Sequence, residues 1–546
     1  MGTVALVLAM LAAVVVSGLI ARVLPFNLPR PIVQIALGAA IAAVSRAPVR
    51  LDPELFFLLF LPPLLFLDGW RIPNEGLRRD RGLILQLALG LVFFTVLGMG
   101  FFIHWMIPAI PLAVAFALAA IVSPTDPVAV SAIAARVPIP PRLMHRLEGE
   151  SLLNDASGLV CFRFAVAAAL TGTFSLGRAS LTFLQLAAGG VLIGFAVTYG
   201  ILWLKDVISR RLGEEAGSQV LISVLIPFAA YELAEHLDCS GILAAVAAGI
   251  TMSHAELSGR ALAITRMQRT AVWDTLQYAL NGVMFVLLGE QLPGIFASAV
   301  LVVQQSSHVD PWWLLVYVVA INLGLAVLRF VWVWASTRIS ELTAALRGIA
   351  APKKADARLI AVVSLAGVRG AITLAGVLTL PLALPDGTAF PARELAIFLA
   401  AGVIVLSLIT ASISLPRLLH GVALPPAGEQ EAALERARAL AAQAAIHAIE
   451  EAQHKLASGQ IQADLYSEAA TRVMELYRRR IQGHTGLDSN DAERIRKSED
   501  IERQLRLAGL RAEREEIFAL ARQYEISDAA SRRLVREIDL LEERLR

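Results

Sequence analysis

Long apolar runs separated by short polar segments organise the first 420 residues of this chain. A membrane-spanning helix takes about 20 predominantly apolar residues. Runs of that kind recur near 3–22, 31–45, 54–69, 82–106, 111–136, 144–172, 181–207, 216–236, 238–255, 269–292, 311–337, 357–382 and 393–419, which predicts thirteen transmembrane helices. The first run has no basic leader and reaches spanning length, so it reads as a span rather than a cleaved signal. After Gly421 the pattern changes to charge-rich sequence dominated by Glu, Arg, Ala and Leu. Segments 429–457 and 500–545 keep helical periodicity there, and "GHTGLDSND" at 483–491 interrupts it. The expected organisation is a transmembrane domain over 1–420 and a cytoplasmic helical domain over 421–546.

Loop charges give an orientation independently of the spans. With the N-terminus outside, the cytoplasmic loops hold clusters such as Arg71, Arg78, Arg79 and Arg81, and Lys353, Lys354 and Arg358. The outer loops hold Arg46, Arg50, Arg178 and Arg393, a bias of about 20 to 4 in the sense that marks the cytoplasmic side. The N-terminus is therefore expected outside and the C-terminus inside.

Composition narrows the class further. The chain is 57% hydrophobic and 17% charged, too apolar for one soluble core to hide. An all-α polytopic membrane protein is expected. The net charge of +2 gives no footprint for nucleic acid. The two cysteines, Cys161 and Cys239, imply neither a disulfide framework nor a zinc site. No phosphate-binding loop, metalloprotease helix or nucleophile elbow occurs, so the sequence points to no enzyme and no cofactor.

Ionisable groups inside a bilayer are costly, about 2.5–3.5 kcal/mol at the helix centre even on a mild scale, and so carry functional information. The fifth span contains "SPTDPVAVS", with Asp126 near its middle between Pro124 and Pro127. Each proline lacks an N–H and clashes with the carbonyl four residues back, so the pair should free the carbonyls of Ala120 and Ser123. A broken helix carrying a carboxylate and the neighbouring Thr125 belongs in a protein-lined cavity rather than in lipid. The sixth span, "GESLLNDASG", places Ser151 and Asp155 on one helical face and Glu150 and Asn154 on the adjacent one. A hydroxyl and a carboxylate on one face suit a hard cation.

The twelfth span, "GVRGAITLAG", centres on Arg369 between Gly367 and Gly370. A buried guanidinium demands acceptors; Glu150 is the expected partner, and the alternative role is to supply fixed positive charge to a crossing of two broken helices. If spans 1–6 and 8–13 are inverted repeats, the interrupted fifth and twelfth correspond, the pattern that marks a transporter's binding site. Asp68 in "FLPPLLFLDGW" and Glu290 read as interfacial, and Arg163 reads as snorkelling toward the outer headgroups or, second, as pairing with a carboxylate. Glu232 and Arg329 fall within spans without a role that the sequence assigns.

Taken together, "FLPPLLFLDG", "SPTDPVAV", "GESLLNDASG" and "GVRGAITLAG" resemble, in order and spacing, the first monovalent cation:proton antiporter family, the bacterial and eukaryotic sodium/proton exchangers. The resemblance spans roughly residues 1–420 and has the layout of a bacterial inner-membrane member. It implies thirteen spans in two inverted six-helix repeats, broken helices 5 and 12 crossing at the midplane, a homodimer and elevator-like alternating access. It also implies that Thr125, Asp126, Ser151 and Asp155 hold the cation, that Asn154 supports the broken backbone, and that Glu150 pairs with Arg369. An Asn before the Asp implies one-for-one, electroneutral exchange in this family.

The expected function is exchange of Na⁺, with Li⁺ or K⁺ as further candidates, for H⁺ at a shared Asp155. A potassium/proton antiporter would use the same constellation, and a cation channel or a membrane sensor acting through the tail would share its polar midplane.

Overall fold

The computed structural model describes residues 3–23, 29–45, 53–71, 86–126, 130, 141–172, 176–213, 215–256, 263–304, 310–346, 357–419, 428–457, 463–482, 489–523, 534–535 and 537–542. Among the described residues the backbone is helical, with extended pairing confined to a bridge between Ala383 and Ala389. The chain divides into two compact units, Met1–Ala423 and Leu424–Arg546.

The first unit contains α1 (Thr3–Val23), α2 (Arg30–Ser45), α3 (Pro53–Arg71), α4 (Val92–Met106, entered through a π-helical turn at Gln86–Leu91) and α5 (Leu112–Val122). It continues with α6 (Pro141–Thr171), α7 (Leu176–Leu212), α8 (Ala216–His236), α9 (Gly241–Glu256), α10 (Ala263–Gln304) and α11 (Trp313–Leu346). The last three are α12 (Ala357–Leu365), α13 (Ala371–Leu378) and α14 (Arg393–Leu419). Seven of the described helices are long and apolar enough to cross a membrane.

The apolar pattern and the helices differ in two informative ways. Helices α7 and α10, at 37 and 42 residues, run well past their expected spans, α7 through the charged end at Lys205–Leu212 and α10 through the apolar segment after Pro293. Two expected spans are interrupted instead. Helix α5 stops at Val122, just before Pro124, and the run over 357–382 is split into α12 and α13 by Ala366–Gly370. The backbone at Pro62 and Pro63, by contrast, stays helical within α3.

Close helix approach depends on glycines where backbones touch. A Cβ at Gly289 of α10 would lie 1.9 Å from the Ile35 carbonyl oxygen of α2, and one at Gly38 would lie 1.9 Å from that of Val286. Helices α3 and α9 repeat the device, with Gly249 against the Phe66 carbonyl oxygen and Gly69 against that of Val246. Small residues of this kind let membrane helices pack by van der Waals contact where lipid supplies no hydrophobic drive. Helix α5 is buried almost throughout, from Val114 to Val122, so its broken end lies inside protein.

One end of α3, α8, α9 and α10 is held by polar contacts as well. Trp70 donates to Glu256 at 2.8 Å, and the buried Arg269 pairs with the same carboxylate at 2.5 Å. Trp273 stacks on Phe66 with centroids 5.1 Å apart and donates to the Ser223 hydroxyl at 3.1 Å. These contacts satisfy groups that would otherwise be buried without partners.

The second unit contains α15 (Gly428–Ala457), α16 (Ala463–Gln482) and α17 (Ser489–Arg522), with α15 packed on α16. Arg514 of α17 pairs with Asp539 at 2.8 Å and with Glu542.

Candidate functional site

The two interrupted segments meet. The Asp126 N–H, just past the end of α5, donates to the Val368 carbonyl oxygen at 2.7 Å. In return the Arg369 Nε–H donates to the Val122 carbonyl oxygen at 2.9 Å, and its Nη1 reaches the Gly367 carbonyl oxygen. A helix end leaves its last carbonyls without partners, so a buried guanidinium there supplies both donors and compensating charge. The Ser407 hydroxyl of α14 accepts the Arg369 backbone N–H at 3.2 Å.

Helix α6 supports the same crossing from its side. Ser151 Oγ donates to the Thr125 carbonyl oxygen at 2.7 Å, and Asn154 Nδ2 donates to Thr125 Oγ1 at 3.0 Å. Asn154 Oδ1 is buried without a hydrogen-bond partner among the described residues. Gly158, one turn on, lets Pro124 approach, since a Cβ there would lie 2.4 Å from the proline Cγ.

Gly370 has an equally specific reason. A Cβ at that position would fall 1.8 Å from Asp126 Oδ2, so the carboxylate occupies the space that any larger residue needs. Gly370→Ala is expected to displace Asp126 and lower the apparent melting temperature of the purified protein by several degrees. Parent-like melting of that variant would show that the crossing accommodates the methyl group freely.

Around this crossing lies a cavity lined by Pro124, Thr125, Asp126, Ser151, Asp155, Gly370, Ile372 and Thr373, and on another side by Leu64, Asp68, Gln277 and Asn281. Its volume of about 30 Å³ compares with about 10–15 Å³ for a single water. It thus takes about two or three water-sized occupants. Carboxylates, hydroxyls and amides line it, a donor set that suits a hard cation.

The structure therefore brings Thr125, Asp126, Ser151 and Asp155 to one cavity and puts Asn154 in contact with its backbone. Pro124 lines it; Pro127 lies outside the described residues.

Three expectations need correction. Glu150 pairs with Arg329 of α11, Nη1 to Oε1 at 2.6 Å and Nη2 to Oε2 at 2.9 Å, while Arg369 takes backbone carbonyls instead. The Nη2 contact is a hydrogen bond and the Nη1 contact a close ion-pair contact, so a guanidinium reaching in from a neighbouring helix compensates the buried carboxylate. Arg163 is half exposed and pairs with Glu235 of α8 at 3.0 Å, so of its two expected arrangements the carboxylate pair replaces the favoured snorkelling. Asp68 and Glu290, read as interfacial, lie respectively at the cavity and in the buried α2–α10 contact. Thr373 lies within "GVRGAITLAG" without a role that the sequence assigns, whereas Gln277 and Asn281 lie outside the quoted motifs. The sequence signal of Gln277 and Asn281 is a polar residue within a largely apolar run, repeated at a four-residue spacing.

Comparison with known proteins places this architecture. The family model described as sodium/hydrogen exchanger, transmembrane, matches residues 8–421. An uncharacterised Na⁺/H⁺ exchanger of Escherichia coli is 42% identical over 541 residues, covering 98% of this chain and 97% of that protein. A sodium, potassium, lithium and rubidium/H⁺ antiporter of Bacillus subtilis is 42% identical over 424 residues, which cover 76% of this chain and 61% of that protein. Among solved structures, the sodium proton antiporter of Methanocaldococcus jannaschii shares the fold with a TM-score of 0.55 at 18% identity, covering 77% of this chain and 99% of that one. With its interrupted helices, its apolar spans and a match across residues 8–421, this chain is a multi-pass membrane transporter, not an enzyme, and belongs to the sodium/hydrogen exchanger family.

Proposed function

We propose that this chain exchanges monovalent cations, Na⁺ among them, for protons, and that Asp155 carries either ion in turn. The observation that carries this reading is the small oxygen-lined cavity between Asp126 and Asp155 at the crossing of the interrupted helices. A carboxylate in such a place is cheap to keep neutral and costly to keep charged without a counter-ion. Protonated, Asp155 is neutral. Deprotonated, it is stabilised by a cation that takes further oxygens from Asp126, Ser151 and Thr125. One site that holds H⁺ or Na⁺ but not both couples the two fluxes by competition alone.

The surrounding residues keep that site in shape. Asn154 and Ser151 hold Thr125, Glu150 with Arg329 fixes α6 against α11, and Arg369 ties the end of α5 to the break before α13. Pro124 follows the end of the helix, where the carbonyls are needed. The cavity is lined from two sides, α3 and α10 on one and α5, α6 and α13 on the other, which supports an elevator in which one side carries the ion past the other. An empty, charged site would cross poorly through a low-dielectric gate, so exchange is obligatory and electroneutral. Localisation in a bacterial inner membrane, thirteen spans with the N-terminus outside, a homodimer and a cytoplasmic tail complete the proposal. The B. subtilis relative, by its name an antiporter of four alkali cations, supports a selectivity wider than Na⁺ alone.

Proteoliposome exchange across Na⁺, Li⁺ and K⁺ at several pH values tests this. Saturable Na⁺ flux driven by a pH gradient is expected, with an apparent KM that rises as the medium is acidified. Flux that is unsaturable and indifferent to the proton gradient would instead mark a channel. Exchange of K⁺ alone would favour a potassium/proton antiporter.

A further inference from the structure

Gln277 lines the cavity, yet its amide oxygen is engaged elsewhere. Arg71 lies one turn beyond Asp68 on α3. It donates from Nη1 to Gln277 Oε1 at 2.7 Å and from Nη2 to Asp274 Oδ1, one turn before Gln277 on α10. A guanidinium carries only donors, so chemistry fixes which end of the amide faces it. The oxygen faces Arg71, and the NH₂ is what the side chain has left to offer the cavity. That cavity is lined by three carboxylates, Asp68, Asp126 and Asp155, and among the described residues no Lys, Arg or His lines it. An amide NH₂ in such surroundings serves carboxylates as a donor and gives a cation no ligand.

We infer that Gln277 is a built-in competitor of the transported cation, and that Arg71 is the positioning residue that keeps it so. The reading rests on the proposal that this cavity is the cation site. With its oxygen held, Gln277 partly satisfies the carboxylates when no cation is present. Released from Arg71, the same amide can turn its oxygen inward and become a ligand. Cation affinity is thereby set from the end of α3 by a residue that touches no ion.

The test is the apparent KM for Na⁺ in proteoliposomes carrying the parent, Arg71→Ala, Gln277→Ala or the double variant. Each single substitution is expected to lower KM about three- to tenfold, the worth of one hydrogen bond, with a smaller change in Vmax. The double variant is expected to match Gln277→Ala alone. An unchanged KM in Gln277→Ala would overturn the inference. So would an Arg71→Ala effect of equal size with and without Gln277, which would assign it to the lost charge at the cavity mouth. Sodium-induced proton release from the purified variants gives the same ordering without requiring turnover. Asp155→Asn, run alongside, separates the levels. Exchange that persists in it removes the site reading, whereas failure confined to the Arg71 and Gln277 variants leaves that reading in place.

Discussion

Arg329→Met is expected to destabilise the protein by about 3–5 kcal/mol, the cost of stripping one partner from a buried ion pair. Arg329 and Glu150 are 4% and 1% exposed, and their ion pair spans 179 residues of sequence. Methionine fills much of the same volume, so the loss is mainly electrostatic. It leaves the Glu150 carboxylate buried with its partner gone, and it removes the Nε donor from the Val363 carbonyl oxygen near the end of α12. Neutralising both members, in Arg329→Met with Glu150→Gln, should recover part of the loss, because no uncompensated carboxylate then remains. Recovery stays partial because Val363 still lacks its donor and Arg369 loses the field of Glu150. Thermal unfolding of the purified variants in detergent measures this. A single variant that melts like the parent would show that Glu150 finds another cation, with Arg369 the candidate.

That pair also shows where sequence reasoning stops. Helical spacing reports neighbours on the same helix, and it placed Ser151 with Asp155 and Asn154 with Glu150 from residue order alone. The interruption at Pro124 was legible because a proline has no donor to give. The one before Gly370 was legible because a charged residue between glycines is out of place in an apolar run. The partner of Glu150 was not legible. Arg329 lies in the uniformly apolar stretch of α11, and only packing decides which of two buried guanidiniums faces which acceptor.

The place of Asp68 is hidden from the sequence for a related reason. Its position near the end of the apolar run points to the interface. Close packing of α3 on α9 through Gly69 and Gly249 fixes that helix against its neighbour, and its face bearing Leu64 and Asp68 lines the cavity. The helix class and the transport character followed from hydropathy and intramembrane charge. The cavity's second side, made of Asp68, Gln277 and Asn281, depended on tertiary contacts that no local pattern records.

Asp155→Asn is expected to reduce exchange to the level of protein-free liposomes. Asparagine keeps the size and the neutrality of a protonated aspartate, so the variant should fold and pack as the parent does. It can neither release a proton nor offer a negative charge to a cation, and both halves of the exchange fail together. Asp126 remains in the same cavity and cannot substitute if Asp155 is the group that titrates. The decisive measurement is proton release on adding Na⁺ to the purified protein in weak buffer at fixed pH. The account predicts up to about one proton released per Na⁺ bound by the parent, since one carboxylate exchanges one ion for the other, and none from Asp155→Asn. Proton release of parental size from Asp155→Asn would contradict it.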